Sequence, residues 1–149
     1  MRRLFFPVAV ILFLTVNARS ADHSQLMGVW RIDPASSPIV DGKLVKSGAL
    51  TIDYHRKWLH WTELTKFENG DRTVEMECYV DGQSQPVYGT AYRVKAKWEG
   101  SSLVASGAID GGEGTVELSV SPDGSTLTEV VHHTDRGGQF DRTLVWKRP

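Results

Sequence analysis

The sequence predicts an all-β protein, an antiparallel meander closed into a barrel of about 8 to 9 strands. Three observations carry this. From Leu26 onward, runs rich in Val, Ile, Thr, Tyr and Trp alternate with glycine and aspartate turn signals. Each run alternates apolar and polar residues, so each has one dry and one wet face. No stretch sustains the 3.6-residue period of a helix.

Taken in order, the strands are expected over 26–33, 47–54, 57–67, 72–80, 88–99, 102–110, 114–121, 125–134 and 139–147. Asn69-Gly70, Asp81-Gly82, Gly100-Ser101, Gly111-Gly112, Asp123-Gly124 and Gly137-Gly138 separate them, with residues that tolerate positive φ. The dry faces read Leu50, Ile52 and Tyr54; Val74, Met76, Cys78 and Val80; Tyr92, Val94, Ala96 and Trp98; Leu103, Ala105, Gly107 and Ile109; and Val116, Leu118 and Val120. Hairpin order favours closure into a barrel over a two-layer sandwich, because closure removes exposed edges. The one long connection, Pro34 to Lys46, is either a plain surface loop or a flap at the barrel mouth. Around Trp58, His60, Trp61 and Glu63 aromatic residues fall on both faces. One indole is expected inside and the other at an edge or partner surface.

The chain has 149 residues and a net charge of −1, which excludes a disordered tail, a fibre and a broad basic face for nucleic acid. Residues 1–20 read as a secretory signal peptide. Arg2 and Arg3 precede an apolar run from Leu4 to Val16 that is too short to span a membrane as a helix. Cleavage is expected after Ser20, with Ala18 as the alternative and the twin-arginine route as a second one. The domain is then 21–149, with 14 basic and 18 acidic residues and a charge of −4. An exported, periplasmic or extracellular protein without an integral membrane segment or lipid anchor is expected. With Cys78 as its only cysteine, it has no internal disulfide.

The segment from Leu26 to Ser37, with Gly28-Val29-Trp30 and Pro34, resembles the G-T-W-x-L-x-P-x-x-S opening of small exported bacterial lipocalin-like (calycin-type) proteins. Asp81 to Gly89 is similar to their D-G-x-x-x-P-V-x-G connection, and Ser121 to Thr128 to their S-x-D-G-x-T-L-T hairpin. The resemblance implies a lipocalin-like barrel. It also implies structural roles for Gly28 and Trp30, the indole packing beneath either Arg142 or Arg148. Val29 stands where that pattern has threonine, and the carboxy-terminal helix and disulfide of ordinary lipocalins are missing.

The last hairpin holds the most informative polar residues. Placing Leu127 inward also turns Glu129, Val131 and His133 inward, with Phe140, Arg142, Leu144 and Trp146 on the same face. With Gly137 and Gly138 as the turn, His133 is expected opposite Arg142 and Glu129 opposite Trp146. Charges there are costly unless paired or used. Glu129, His133 and Arg142 are therefore candidates for the polar handle of a ligand whose apolar body meets Tyr92, Trp98 and Trp146. The alternatives are an internal hydrogen-bond network, or a bulge after Thr128 that turns Val130 and His132 inward instead.

No catalytic motif, metal-ligand spacing or cofactor signature is present. His132 and His133 point to opposite faces of a strand and cannot share one ion without a bulge. Asp110 to Gly114 lacks the oxygen spacing of a calcium loop. The functional expectation is binding of a small hydrophobic or amphipathic molecule without chemical conversion. A side-chain-filled barrel that docks another protein is the alternative, and a cavity isomerase or cyclase the less favoured one.

Overall fold

The computed structural model describes residues 23–40, 42–87, 91–109 and 112–149. The expected signal segment 1–20, Tyr88 and Gly89 of the resemblance, and Gly111 of its turn lie outside these residues. A 3-10 turn, His23–Leu26, precedes β1 (Gly28–Ile32), β2 (Ile39–Val40), β3 (Lys43–His55), β4 (Trp58–Phe67) and β5 (Gly70–Tyr79). There follow β6 (Ser84–Pro86), β7 (Arg93–Glu99), β8 (Ser102–Ile109), β9 (Gly112–Val120), β10 (Thr126–Asp135) and β11 (Gly138–Lys147). None of the helices among the described residues is long and apolar enough to cross a membrane.

These form one antiparallel sheet in the order β5-β4-β3-β1-β11-β10-β9-β8-β7-β6, with β2 paired to β3 off this path. The meander is as expected, but the described residues form 11 strands rather than 8 to 9. The two strands beyond the nine expected ranges, β2 and β6, are too short to leave an alternation signal, and β2 occupies part of the expected Pro34–Lys46 connection. β1 lies between β3 and β11, so the opening strand joins the two arms of the meander.

Local chemistry explains each departure from simple alternation. In β3, Val45 and Leu50 both face inward although an odd number of positions separates them, and the register shift between Val45 and Ser47 supplies the extra residue. The β3–β4 turn, which carries no glycine, takes Arg56 and Lys57 to φ of 49° and 73°. Those are the two positive values that a two-residue hairpin loop of the primed type needs.

The seam of the barrel lies between β5 and the β6–β7 hairpin. There the Gln85 side chain stands in for a backbone partner. Its amide nitrogen donates to the Tyr79 carbonyl (2.7 Å) and its oxygen accepts from the Tyr79 N–H (2.6 Å). A single parallel bridge, Val80 to Ala96, and the Gly82 N–H to Ala96 carbonyl bond (2.8 Å) continue the closure.

One end of the barrel is packed shut. Trp30, Leu50, Leu59, Leu103, Leu118, Leu127, Leu144 and Trp146 are fully buried. The Trp30 indole donates to the Leu26 carbonyl at 2.9 Å, and the Arg148 guanidinium lies 3.9 Å above its ring. Of the two arginines that the resemblance allowed, Arg148 takes this place. Its two amino groups donate to the carbonyls of Met27 (2.8 Å) and Gln25 (2.6 Å). Gly28, at φ 108°, keeps the approach open, because a Cβ there would sit 2.9 Å from Arg148 Nη1.

Candidate functional site

Above this packed end the inward faces of β4, β5, β7, β8, β9, β10 and β11 surround a largely apolar cavity of about 180 Å³. Its walls come from Val74, Met76, Val87, Val94, Ala105 and Val116. Its polar lining comprises Trp61, Glu63, Glu129, Arg72 and Arg142, with Tyr92 and the exposed Glu75 at the edge.

Strand parity sets these positions. Leu59, Trp61, Glu63, Thr65 and Phe67 alternate inward on β4, which leaves Trp58 and His60 outside. Trp61 is the interior indole, and Trp58 packs edge-on against Tyr79 at the surface (centroids 4.8 Å apart). On β10, Leu127, Glu129, Val131 and His133 face inward in unbroken register, so no bulge follows Thr128.

The two carboxylates are held alike. Glu63 accepts at Oε1 from the Thr65 hydroxyl (2.8 Å), and Glu129 accepts at Oε2 from the Trp146 indole N–H (3.0 Å). The other oxygen of each, Glu63 Oε2 and Glu129 Oε1, is buried without a hydrogen-bond partner, as is the Trp61 indole nitrogen. Arg142 Nη2 stands 3.8 Å from Glu129 Oε1, within ion-pair range but too far for a hydrogen bond. An unmet buried polar atom costs about 1–3 kcal/mol, so the lining is energetically incomplete. Burial, followed by the neighbouring Glu63, pushes the Glu129 carboxyl up to about 8, against the opposing pull of Arg142, the Trp146 N–H and Arg72.

Of the six ligand candidates read from the sequence, Tyr92, Glu129 and Arg142 line the cavity. Trp146 lies beneath it, fully buried, and orients Glu129 through its indole. Trp98 is at the packed end, stacked 3.6 Å from the His23 ring and donating to the Tyr54 hydroxyl (3.3 Å). His133 is buried toward the mouth beside Phe140 (ring centroids 4.7 Å apart). It lines an open depression shared with Ile39, Asp135, Arg72 and Arg142.

The expected register is corrected. His133 pairs with Phe140, Val131 with Arg142 and Glu129 with Leu144, two residues away from the expectation. The loop is Arg136-Gly137 rather than Gly137-Gly138. Asp135 Oδ1 accepts from the Gly137 N–H (2.6 Å), and Gly138, at φ 125°, already pairs with Asp135. Inward parity survives a two-residue shift, so the same side chains still face inward.

Sequence reasoning left two polar residues of the lining without a role. Glu63 was set among residues that could not be assigned to a face, although the parity of Leu59, Trp61, Thr65 and Phe67 carried the signal. Arg72 begins the inward row of Val74, Met76 and Cys78, but sat at the expected strand boundary. Outside the barrel, His132 pairs with Asp141 (2.8 Å). Ligand-type atoms of His60, Glu75 and Glu77 lie within 4.8 Å of one another, with His60 Nε2 3.0 Å from Glu75. Glu77 is the strand partner of His60, and Glu75, the partner of Thr62, is its diagonal neighbour.

No protein-family model matches the sequence, and no curated protein matches it. Solved structures do. The fluorescent protein UnaG superposes with a TM-score of 0.59 at 11% identity, covering 85% of this chain and 98% of that one. Lipid binding protein 8 of Caenorhabditis elegans, in its apo form, gives 0.58 at 9% identity, with 85% and 96% covered. The zebrafish ileal bile acid-binding protein, complexed with cholic acid, gives 0.55 at 16%, with 85% and 100% covered. At these identities the likeness establishes the fold alone: this chain is an all-β, nearly closed antiparallel barrel like those of these neighbours.

Proposed function

We propose that this protein binds a small, largely apolar molecule inside its barrel without converting it. The observation that carries this reading is the largely apolar interior cavity of about 180 Å³ whose lining includes buried polar atoms without hydrogen-bond partners. A barrel selected only for packing would fill that space with side chains. The bile-acid and lipid-binding proteins of like fold support the same class of job. Volume bounds the ligand. Cavities of about 150 Å³ take a benzene-sized molecule, whereas drug-sized ligands occupy roughly 300–1,000 Å³. A ring-sized molecule fits whole, and a longer one must extend past Arg72 and Arg142 into the mouth. Residues 1–20 support export as the setting in which the protein works.

Ala105, buried in the cavity wall, is the site at which to test it. Calorimetric titration with toluene and phenol should show saturable binding to the native protein, weakened at least tenfold by Ala105→Phe while circular dichroism stays native. Equal affinity in the variant would place any binding elsewhere and overturn the reading.

A further inference from the structure

The polar atoms of the cavity narrow what it accepts. Glu63 and Glu129 each spend one oxygen on a protein donor and leave the other buried with no donor. Both carboxylates belong to the same lining, as does Trp61, whose N–H has no acceptor. The two arginines belong to the same lining, with Arg142 Nη2 3.8 Å from Glu129 Oε1. Arg72 and Arg142 border both the cavity and the open depression at the mouth, and Arg72 pairs along the sheet with Thr65, one step nearer the mouth than Glu63.

We propose that the cavity selects a compact, ring-sized molecule carrying a hydroxyl or amine, whose hydrogen is donated to the open oxygen of Glu63. This rests on the cavity-binding reading above and specifies its ligand. A hydroxyl donates one hydrogen and accepts through its lone pairs, so it can meet a carboxylate oxygen and the Trp61 N–H together. An amine supplies more hydrogens and, when charged, complements the carboxylates directly. A ligand carboxylate offers acceptors only. Within this cavity it would leave the open oxygen of Glu63 without a hydrogen. A purely apolar ring would fill the volume and leave all three atoms unmet.

The test is a set of four probes of nearly equal size, titrated calorimetrically at neutral pH: toluene, phenol, benzylamine and benzoate. Phenol or benzylamine should bind at least about tenfold more tightly than toluene, and benzoate no more tightly than toluene. Glu63→Gln should weaken benzylamine about tenfold while changing toluene less than twofold, which separates loss of the acceptor from loss of the fold. Benzoate as the tightest probe, or toluene equal to phenol and benzylamine, would overturn the donor requirement and leave cavity binding standing. Binding of none of the four would overturn both.

Discussion

Glu129 is the residue where sequence and environment disagree most. A carboxyl group that ordinarily titrates at 4.5 is pushed up to about 8 by burial and by Glu63. Between those values the folded protein keeps a proton that the unfolded chain has released, so folding binds protons and stability falls as pH rises across that window. Above about 8 both forms are ionised and the slope ends. Urea unfolding between pH 5 and 8 should therefore show the native protein losing roughly 3–5 kcal/mol from this group. Glu129→Gln should flatten that dependence, and an unchanged slope in the variant would refute the assignment. Asp123 titrates far from this window. Hydrogen bonds from Ser121 and Ser125 hold its carboxyl at about 2, so its share of stability disappears only in strong acid. The sequence placed Glu129 and Arg142 on the inner face by counting alternate residues. It could not supply the partner that matters for proton binding, because Glu63 reaches the same cavity from a strand 66 positions earlier in the chain.

Among the strands, alternation and turn chemistry were legible wherever a segment was long enough to repeat its period. β4, β5, β8, β9, β10 and β11 stand within a few residues of their expected positions. The short β2 and β6 were not legible, since two or three residues carry no period and form only because a neighbour offers an edge. The Gly137-Gly138 reading failed for a related reason. Either glycine suits a hairpin, and the choice is made by the Asp135 carboxylate capping the Gly137 N–H. At the seam, Gln85 substitutes for a missing ladder bond on each side of Tyr79. Gln85→Leu removes both hydrogen bonds from a partly exposed site and should cost about 1–2 kcal/mol in urea unfolding. Hydrogen exchange should show the Tyr79 amide losing protection selectively, and protection equal to the native protein would mean that the seam closes without it.

Across the whole molecule, closure depends on contacts between the two ends of the described chain. Arg148 reaches Gln25 and Met27, more than 120 positions away, while covering Trp30. Arg148→Ala should lower stability by about 1–3 kcal/mol, from hydrogen bonds to a charged donor plus a cation–π contact. Arg148→Lys should recover less than half of that, because an ammonium cannot bridge both carbonyls and stack on the indole. Equal stability of the lysine variant and the native protein, measured by urea unfolding, would reduce Arg148 to a surface charge.

By itself the sequence determined that the chain is all-β and which side chains face inward on most strands. These follow from period-2 alternation and local turn chemistry, which act within a few residues. An arginine over Trp30 was implied by the resemblance alone, and only the tertiary structure decided that it is Arg148, that Trp98 belongs to the packed end, and that Glu63 and Arg72 join Glu129 and Arg142 around one cavity. Such pairings depend on register and curvature across strands far apart in the chain, and a shift of two residues moves partners while leaving every face unchanged.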